Sequence, residues 1–312
     1  MIDTPFGPMK VLDAHTHFLG HSFYANLAKQ AGLTPPGLEA MGAGAVAHRL
    51  GWDPAPVDTA ETGKRWVEEL DRQGVDRAVS IHTLPGDVDA AAKGVAAAAG
   101  RLVGFATINP LAEGPVTTLD RAVRQHGFRG VALFPSMFGF AIADPRAQQV
   151  LEVCNRHKLM VFVHCGVLKV AFREKLNLPA VFDLTVADPL ALRKACAQFP
   201  NIKFILPHLG SGLFRELLML ADSAPNVFAD TSGIGAWGKY LDARPTEAQV
   251  LRHAVEVIGA ERLLFGTDST FFPRGWRRDV FDAHLKVFEE AKLDARQVAA
   301  ILGGNLERLL VG

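Results

Sequence analysis

The sequence predicts an α/β protein in which eight buried parallel strands alternate with helices. Eight short runs of apolar and β-branched residues follow one another along the 312-residue chain. Strands that are covered on both faces read as continuous apolar runs of this kind. The stretches between them carry apolar residues three and four positions apart, which is the spacing of an amphipathic helix. This alternation predicts a (β/α)8 TIM barrel that occupies residues 1–312 as a single domain.

The predicted elements follow in order along the chain. Strands are predicted at residues 9–15, 76–82, 102–108, 128–134, 159–165, 202–208, 226–230 and 262–268. The clearest helices between them are predicted at residues 59–74, 116–127, 144–157, 188–200, 213–225 and 248–260. Several of these helices begin at Thr or Asp and end at Gly or Pro, as capped helices do. A doubly wound open sheet is the alternative, but no GxGxxG motif follows the first strand and the strand count favours a closed barrel.

Two insertions interrupt the regular alternation. One runs from residue 18 to about residue 59 after the first strand, and the other comprises residues 233–246 after the seventh. Loops that follow strands lie at the C-terminal end of such a barrel, where active sites are built. We therefore expect both insertions to help form a substrate pocket.

Composition and charge exclude several classes of partner. The chain has 33 basic and 33 acidic side chains, so it has no overall charge with which to attract nucleic acid or an anionic membrane. No apolar stretch reaches the 18 residues of a membrane-spanning helix, and the first residues do not resemble a secretory signal. The cysteines Cys154, Cys165 and Cys196 form no CxxC pair, which is typical of a reducing compartment. We therefore expect a cytoplasmic protein.

Histidine and aspartate residues stand at the carboxyl ends of several predicted strands. His15 and His17 form an HxH pair at the end of the first strand, where alternate residues point to the same face. His164, His208 and Asp268 end the fifth, sixth and eighth strands. Strand ends converge at the mouth of a barrel, so these side chains should meet there. Three His nitrogens and one carboxylate oxygen suit zinc or another divalent transition metal and leave a position for water.

These motifs resemble the amidohydrolase superfamily. The segments that carry the resemblance are DAHTH at residues 13–17, VHCG at 163–166, PHLG at 207–210, GTD at 266–268 and GGNLERLL at 303–310. Within the superfamily they are similar to the amidohydrolase-related (amidohydrolase 2) group, which includes aminocarboxymuconate-semialdehyde decarboxylase, resorcylate-type decarboxylases and carboxylate lactonases. The resemblance covers essentially the whole chain.

The resemblance implies a metal site formed by His15, His17, His164 and Asp268. It places His208 near the metal-bound water or the substrate, either as a direct ligand or as a catalytic group beside the metal. Superfamily members with two metals usually bridge them with a carboxylated lysine at the end of the fourth strand. That region reads GVALFPS here and has no lysine, so we expect one divalent metal per chain, with zinc favoured and manganese as the alternative.

Residues after the eighth strand are candidates for substrate binding. Arg274 could clamp a substrate carboxylate, because a guanidinium group pairs with a carboxylate through two hydrogen bonds. Trp276 could form part of an aromatic wall for a planar substrate. We therefore predict that both residues contact a small-molecule carboxylate.

Three functions are compatible with this pattern. The first is hydrolysis of a small carboxylate-bearing lactone, ester or amide, in which Asp268 takes a proton from a metal-activated water and His208 hydrogen-bonds the water or the developing oxyanion. The alternative is non-oxidative decarboxylation of an aromatic or unsaturated acid at the same metal. A metal-binding protein without catalytic activity is disfavoured, because a closed structural site would not need a fifth polar group. A homodimer or homotetramer is compatible with the neutral charge.

Overall fold

The computed structural model describes residues 1–34 and 39–311, and its centre is a sheet of eight parallel strands. Strands that are consecutive in the chain are neighbours in this sheet. The strands are β1 (Leu12–Phe18), β2 (Arg77–His82), β3 (Leu102–Thr107), β4 (Gly130–Leu133), β5 (Met160–Val163), β6 (Lys203–Leu206), β7 (Val227–Asp230) and β8 (Leu263–Leu264).

Backbone hydrogen bonds between the first and last strands close the sheet into a barrel. The N–H of Ala14 donates to the carbonyl of Phe265 at 2.8 Å. Beyond the short strand β8, the N–H of Asp268 donates to His15 O at 2.9 Å, and the N–H of His17 donates to Ser269 O at 2.7 Å. The prediction of a (β/α)8 barrel is therefore confirmed, and these bonds also hold Asp268 beside the HxH pair.

Helices surround the barrel and fill the connections between its strands. The α-helices are His21–Gln30, Glu39–Leu50, Thr59–Gln73, Val88–Ala97, Pro115–Arg124, Pro135–Phe138, Pro145–Arg156, Ala171–Lys175, Arg193–Gln198, Phe214–Ser223, Glu247–Ile258, Arg278–Glu290, Ala295–Ala299 and Asn305–Val311. Short 3-10 turns occur at Leu184–Val186, Pro189–Leu192, Pro207–Gly210, Gly238–Tyr240 and Ala260–Arg262, and a π-helical turn at Ala300–Gly304. None of the described helices is long and apolar enough to cross a membrane.

Apolar side chains pack on both faces of the sheet. Inside the barrel, Ile81, Phe105, Phe162 and Ile205 are fully buried. A larger cluster, with Val131 among its members, packs between the sheet and the helices. Burial on both faces explains why the strands read as continuous apolar runs in the sequence.

The insertion after β1 forms a third apolar cluster beside the mouth of the barrel. Helices His21–Gln30 and Glu39–Leu50 pack there against Phe172 and Leu176 from the loop after β5 and against Phe271 from the loop after β8. Residues 35–38 of this predicted insertion lie outside the described residues. Three loops from different parts of the chain are thus joined at one side of the mouth.

Several predicted boundaries were wrong; the eighth strand, for example, ends at Leu264 rather than at residue 268. The first strand is Leu12–Phe18 rather than residues 9–15, because Gly7–Met9 pairs instead with Ile2–Thr4 in an antiparallel hairpin. The helix predicted at residues 188–200 is a 3-10 turn followed by the helix Arg193–Gln198. The pairing of Gly7–Met9 with Ile2–Thr4 was not predicted from the sequence, and it accounts for the shift of the first strand.

Candidate metal centre

The HxH pair and Asp268 form a compact cluster at the C-terminal end of the barrel. Nε2 of His15 lies 3.3 Å from Nε2 of His17. Asp268 Oδ1 lies 3.1 Å from Nε2 of His17 and 3.6 Å from Nε2 of His15. These three side chains form one of two groups of potential ligand atoms among the described residues that lie within 4.8 Å of one another.

The spacing of this cluster fits a divalent metal. Ligand atoms about 2.0–2.1 Å from a tetrahedral zinc lie roughly 3.3 Å from one another. The three observed separations of 3.3, 3.1 and 3.6 Å bracket that value. Each ring also has a partner for its Nδ1: Asp230 for His15 at 2.9 Å and Thr83 for His17 at 3.3 Å. Both Nε2 atoms are therefore directed toward the shared centre.

His164 contributes a further nitrogen to the same region. Its ring is buried and lies 5.3 Å from the His208 ring, and Phe134 stacks beside it at 5.9 Å. The Nδ1 atom of His164 is buried and has no hydrogen-bond partner in the part of the chain that the structure describes. Buried polar atoms are nearly always paired, so an orphaned imidazole nitrogen beside His208 fits a metal ligand. His164 is, however, in neither of the two groups of described ligand atoms that lie within 4.8 Å of one another, and the second of these groups is His15, His208 and Asp230.

Asp230 is a central residue of the site that sequence reasoning missed. It ends β7 and is completely buried. Its Oδ2 accepts the Nδ1–H of His15, and its Oδ1 accepts the backbone N–H groups of Ser232 at 2.9 Å and of His208 at 3.2 Å. Gly266 leaves room for this pairing, because a Cβ there would lie 2.9 Å from the Cβ of His15 and 3.4 Å from the carboxyl carbon of Asp230. The position of Asp230 at the end of a predicted strand was a usable signal.

His208 projects from a tight turn after β6. Its backbone has φ of 55°, and the next residue, Leu209, has φ of 46°, so both occupy the left-handed region. Its Nδ1 lies 3.0 Å from the carbonyl oxygen of Ser232, and a carbonyl can only accept, so Nδ1 carries the proton. The Nε2 atom of the neutral ring is then free to accept a hydrogen bond. Asp268 also has a left-handed backbone, with φ of 55°.

The protonation states of the side chains in this cluster depend on their burial and on the charges of their neighbours. Burial alone would favour protonation of Asp268, but the hydrogen bond from His17 and the attraction of His15 hold the pKa of its carboxyl well below its usual range. Burial opposes the charge on His15, but the attraction of Asp230 and Asp268 raises its pKa to about 9. Burial and the nearby His208 lower the pKa of His164 to about 3. Burial likewise lowers the pKa of His208, so both of these rings are neutral near pH 7.

A cavity of about 600 Å³ opens above this cluster. We call its lowest part, formed by His15, His17, His164, His208 and Asp268, the floor. Its outer part, which we call the basic rim, carries Lys169, Lys175, Lys239, Arg274 and Arg277. Among the described residues that line the cavity, Asp268 is the only acidic one. The cavity is therefore suited to an anionic ligand.

Apolar side chains line the cavity between its floor and the basic rim. Trp52 from the first insertion stacks on Phe271 with ring centroids 4.3 Å apart and an angle of 12° between the planes. Trp237 and Tyr240 come from the predicted insertion after β7, so both insertions contribute to the pocket. The loop after β5 contributes Val167 to Phe172, which the sequence did not single out as an insertion.

The structure places the two predicted substrate contacts differently. Arg274 lines the cavity, where its guanidinium lies 4.3 Å from the centre of the Phe271 ring. Trp276 is not among the described residues that line the cavity. It is only 2% exposed, and its indole N–H donates to Asp13 Oδ2 at 2.8 Å. The expectation that Trp276 contacts substrate therefore does not fit its position, because a buried indole is directed by its hydrogen-bond partner.

The buried carboxylate of Asp13 connects Trp276 to the floor of the cavity. Its carboxylate also accepts the backbone N–H of His15 at 2.8 Å and the Thr267 hydroxyl at 2.5 Å. It thus connects β1 to the segment that carries Asp268. One buried carboxylate thus holds the backbone of His15 and also Thr267, the residue before Asp268, and the sequence analysis did not identify it as part of the site.

Solved structures of other proteins share this fold. The 5-carboxyvanillate decarboxylase LigW from Sphingomonas paucimobilis has a TM-score of 0.65 and 16% identity, over 97% of this chain and 99% of that one. A probable 2-pyrone-4,6-dicarboxylic acid hydrolase from Acinetobacter baumannii has a TM-score of 0.59 and 16% identity, over 97% and 100%. An amidohydrolase from Burkholderia multivorans with bound zinc has a TM-score of 0.62 and 16% identity, over 97% and 99%.

Sequence comparison identifies the family. Protein fluG of Emericella nidulans is 32% identical over 109 residues, which are 34% of this chain and 12% of the length of that protein. The chain therefore spans about an eighth of that relative, and the likeness covers only one part of each protein. The model of the amidohydrolase family matches residues 12–311, from β1 to the last helix. The chain therefore belongs to the amidohydrolase family.

Proposed function

We propose that this protein is a metal-dependent hydrolase that acts on a small carboxylate-bearing lactone, ester or amide. The observation that carries the proposal is the convergence of four histidines and Asp268 on the floor of a cavity whose other charged lining is basic. The hydrolase from Acinetobacter baumannii, which shares the fold, supports this reaction class.

His15, His17, His164 and Asp268 would hold one divalent metal. Zinc is the first choice, because three imidazole nitrogens and a carboxylate suit it and the protein from Burkholderia multivorans binds zinc on the same fold. Manganese is the second choice. Such a metal supplies Lewis-acid chemistry, polarising a substrate carbonyl and activating water near neutral pH.

The floor residues themselves would move the proton and orient the water. The carboxylate of Asp268 faces the cavity and accepts a proton from the attacking water, after which it returns the proton to the leaving group. His208, with its Nδ1–H held by Ser232, presents Nε2 to the water or the substrate. The two groups thus divide proton transfer and orientation between them.

The basic rim would hold the carboxylate of the substrate. Arg274 is exposed in the cavity, and within the described residues it forms no ion pair with a carboxylate. Arg277 is instead paired with Asp279 at 2.5 Å. Arg274 is therefore the better placed of the two arginines to bind an incoming anion.

Decarboxylation is the second candidate, and the aromatic walls favour it. Phe134 stacks beside His164, Trp52 stacks on Phe271, and all four side chains line the cavity. A planar aromatic acid would pack well against such rings. The decarboxylase LigW supports this reading in the same way that the pyrone hydrolase supports the first.

One experiment compares the two reactions directly. The protein, reconstituted separately with zinc and with manganese, is incubated with carboxylated pyrones and lactones, carboxylated esters and amides, and hydroxylated aromatic acids. We expect loss of lactone, ester or amide absorbance without release of carbon dioxide. Release of carbon dioxide from an aromatic acid would replace the hydrolase proposal by the decarboxylase, and no turnover of any of these compounds with either metal would contradict both.

A further inference from the structure

The pair Asp230 and Ser232 connects two histidines that have different roles in the proposed function. Both residues are completely buried. The Ser232 hydroxyl donates to Asp230 Oδ1, and its oxygen lies 3.0 Å from Nδ1 of His15 and 2.8 Å from Nδ1 of His208. A single hydroxyl therefore lies between the imidazole of a candidate metal ligand and that of a candidate catalytic group.

These contacts determine which nitrogen of each ring carries the proton. The hydroxyl has one proton, which it gives to Asp230, so its lone pairs can only accept from the two rings. His15 also faces Asp230 Oδ2, and His208 also faces the carbonyl of Ser232, and both of these oxygens are acceptors. Each ring is therefore protonated at Nδ1. The neutral His208 ring has its lone pair at Nε2, and in His15 it is Nε2 that offers a lone pair once the second proton of the ring is displaced by a metal.

The consequence differs between the two histidines. In His15, the free Nε2 points toward Nε2 of His17 and Asp268 Oδ1, where a metal would be bound. In His208, the free Nε2 belongs to a ring that lines the cavity. A ring in the other tautomer would present an N–H at both places, and an N–H cannot ligate a metal.

We propose that Asp230 and Ser232 are positioning residues that set the tautomer and orientation of His15 and His208 together. The inference rests on the proposed function, because it assigns His15 to the metal and His208 to the reacting groups. It extends that function to Asp230 at the end of β7, whose carboxylate would orient a metal ligand without binding the metal itself. Partners of metal-bound histidines change metal affinity by about 10- to 100-fold when they are removed.

Thr231 offers a matched control within the same segment. It is buried between Asp230 and Ser232, and its hydroxyl has no hydrogen-bond partner among the described residues. Thr231→Val replaces the hydroxyl at this strand end by a methyl group of similar size. It should therefore leave metal affinity unchanged if the hydrogen bonds, rather than packing, are responsible.

The test is a competition for Zn²⁺ between the protein and a chromogenic chelator, with folding checked by circular dichroism. We expect Asp230→Asn to lower zinc affinity by about 10- to 100-fold, and Ser232→Ala to lower it by a smaller factor because Asp230 still holds His15. The double variant should match Asp230→Asn alone, since both residues act through one network. Nitrogen-15 spectra of histidine-labelled, zinc-bound protein should show the Nδ1–H tautomer of His15 in the wild type and its loss in Asp230→Asn.

Several results would overturn the inference. Wild-type zinc affinity in Asp230→Asn would do so, and so would an equal loss in Thr231→Val. Two zinc ions in the wild type and one in Asp230→Asn would make Asp230 a ligand instead. If Asp230→Asn does not fold, Ser232→Ala is the deciding variant. Wild-type zinc affinity in Ser232→Ala, together with an unchanged His208 tautomer and an unchanged pH profile of activity, would contradict the positioning role. A wild-type protein that binds no zinc would contradict the proposed function itself.

Discussion

At the floor of the cavity, imidazoles and carboxylates stand at or just after strand ends, and most of them have hydrogen-bonded partners, whereas at the basic rim the charged side chains stand on the connections that follow the strands. His15 has Asp230 on one side and Asp268 on the other, and the bonds that close the barrel hold these neighbours in place. Arg274 contacts Phe271 and Thr270 of its own loop. The difference suggests that the barrel determines the reaction and the loops determine the substrate.

The largest effect is expected when a candidate metal ligand is removed from the floor. His15→Ala should reduce the metal content from about one per chain to a small fraction, since an imidazole at the centre of the cluster is lost. Elemental analysis of protein purified without chelators measures this. His126→Ala, at a partly exposed histidine that pairs with Asp89, is the matched control and should retain the metal. Full metal content in both His15→Ala and His164→Ala would contradict the ligand assignment.

A second test separates the chemistry of the floor from its folding. Asp268→Asn keeps the shape of the side chain but removes the proton acceptor, so turnover should fall by about 10²–10⁴-fold. The thermal midpoint should change little, and Asp282→Asn, at an exposed aspartate paired with Arg278, should have full activity. Turnover near that of the wild type would exclude Asp268 from proton transfer.

The hydrogen bond between Trp276 and Asp13 beneath the floor should affect the stability of the folded protein. Trp276→Phe removes the indole N–H that donates to the buried carboxylate of Asp13, which should lower the free energy of unfolding by about 1–3 kcal/mol. Urea denaturation measures the loss. Trp237→Phe is the control, because the indole nitrogen of Trp237 has no partner within the described chain. Equal losses in both variants would mean that packing, not this hydrogen bond, accounts for the effect.

The smallest effect is expected at the basic rim. Arg274→Gln should raise KM for an anionic substrate by about tenfold and leave kcat nearly unchanged, because one charge-assisted contact is lost in substrate and transition state alike. Steady-state kinetics at two salt concentrations checks this. Arg215→Gln, at an exposed arginine paired with Glu216, should change neither constant. A large fall in kcat for Arg274→Gln would remove the distinction between floor and rim.

The sequence predicted the floor better than the rest of the site for a physical reason. His15, His164, His208 and Asp268 occupy strand ends, and a barrel brings strand ends together whatever its loops do. Asp230 also stands at the end of a predicted strand, but a lone aspartate after a strand is also a common turn residue, so its position alone does not predict a role in the site. The direction of Trp276 could not be predicted, because it depends on a contact with Asp13 of the neighbouring strand β1, which is far away in the sequence. The loop after β5 has too little periodicity to indicate its contribution to the cavity.

The left-handed backbones of His208 and Asp268 place a limit on how this enzyme could be engineered. A non-glycine residue in that conformation costs of the order of 1–3 kcal/mol, which the surrounding structure must supply. A library selected only for heat resistance would favour glycine at both positions and so discard the imidazole and the carboxylate. Heat resistance and catalysis would therefore have to be selected together in any directed evolution of this barrel.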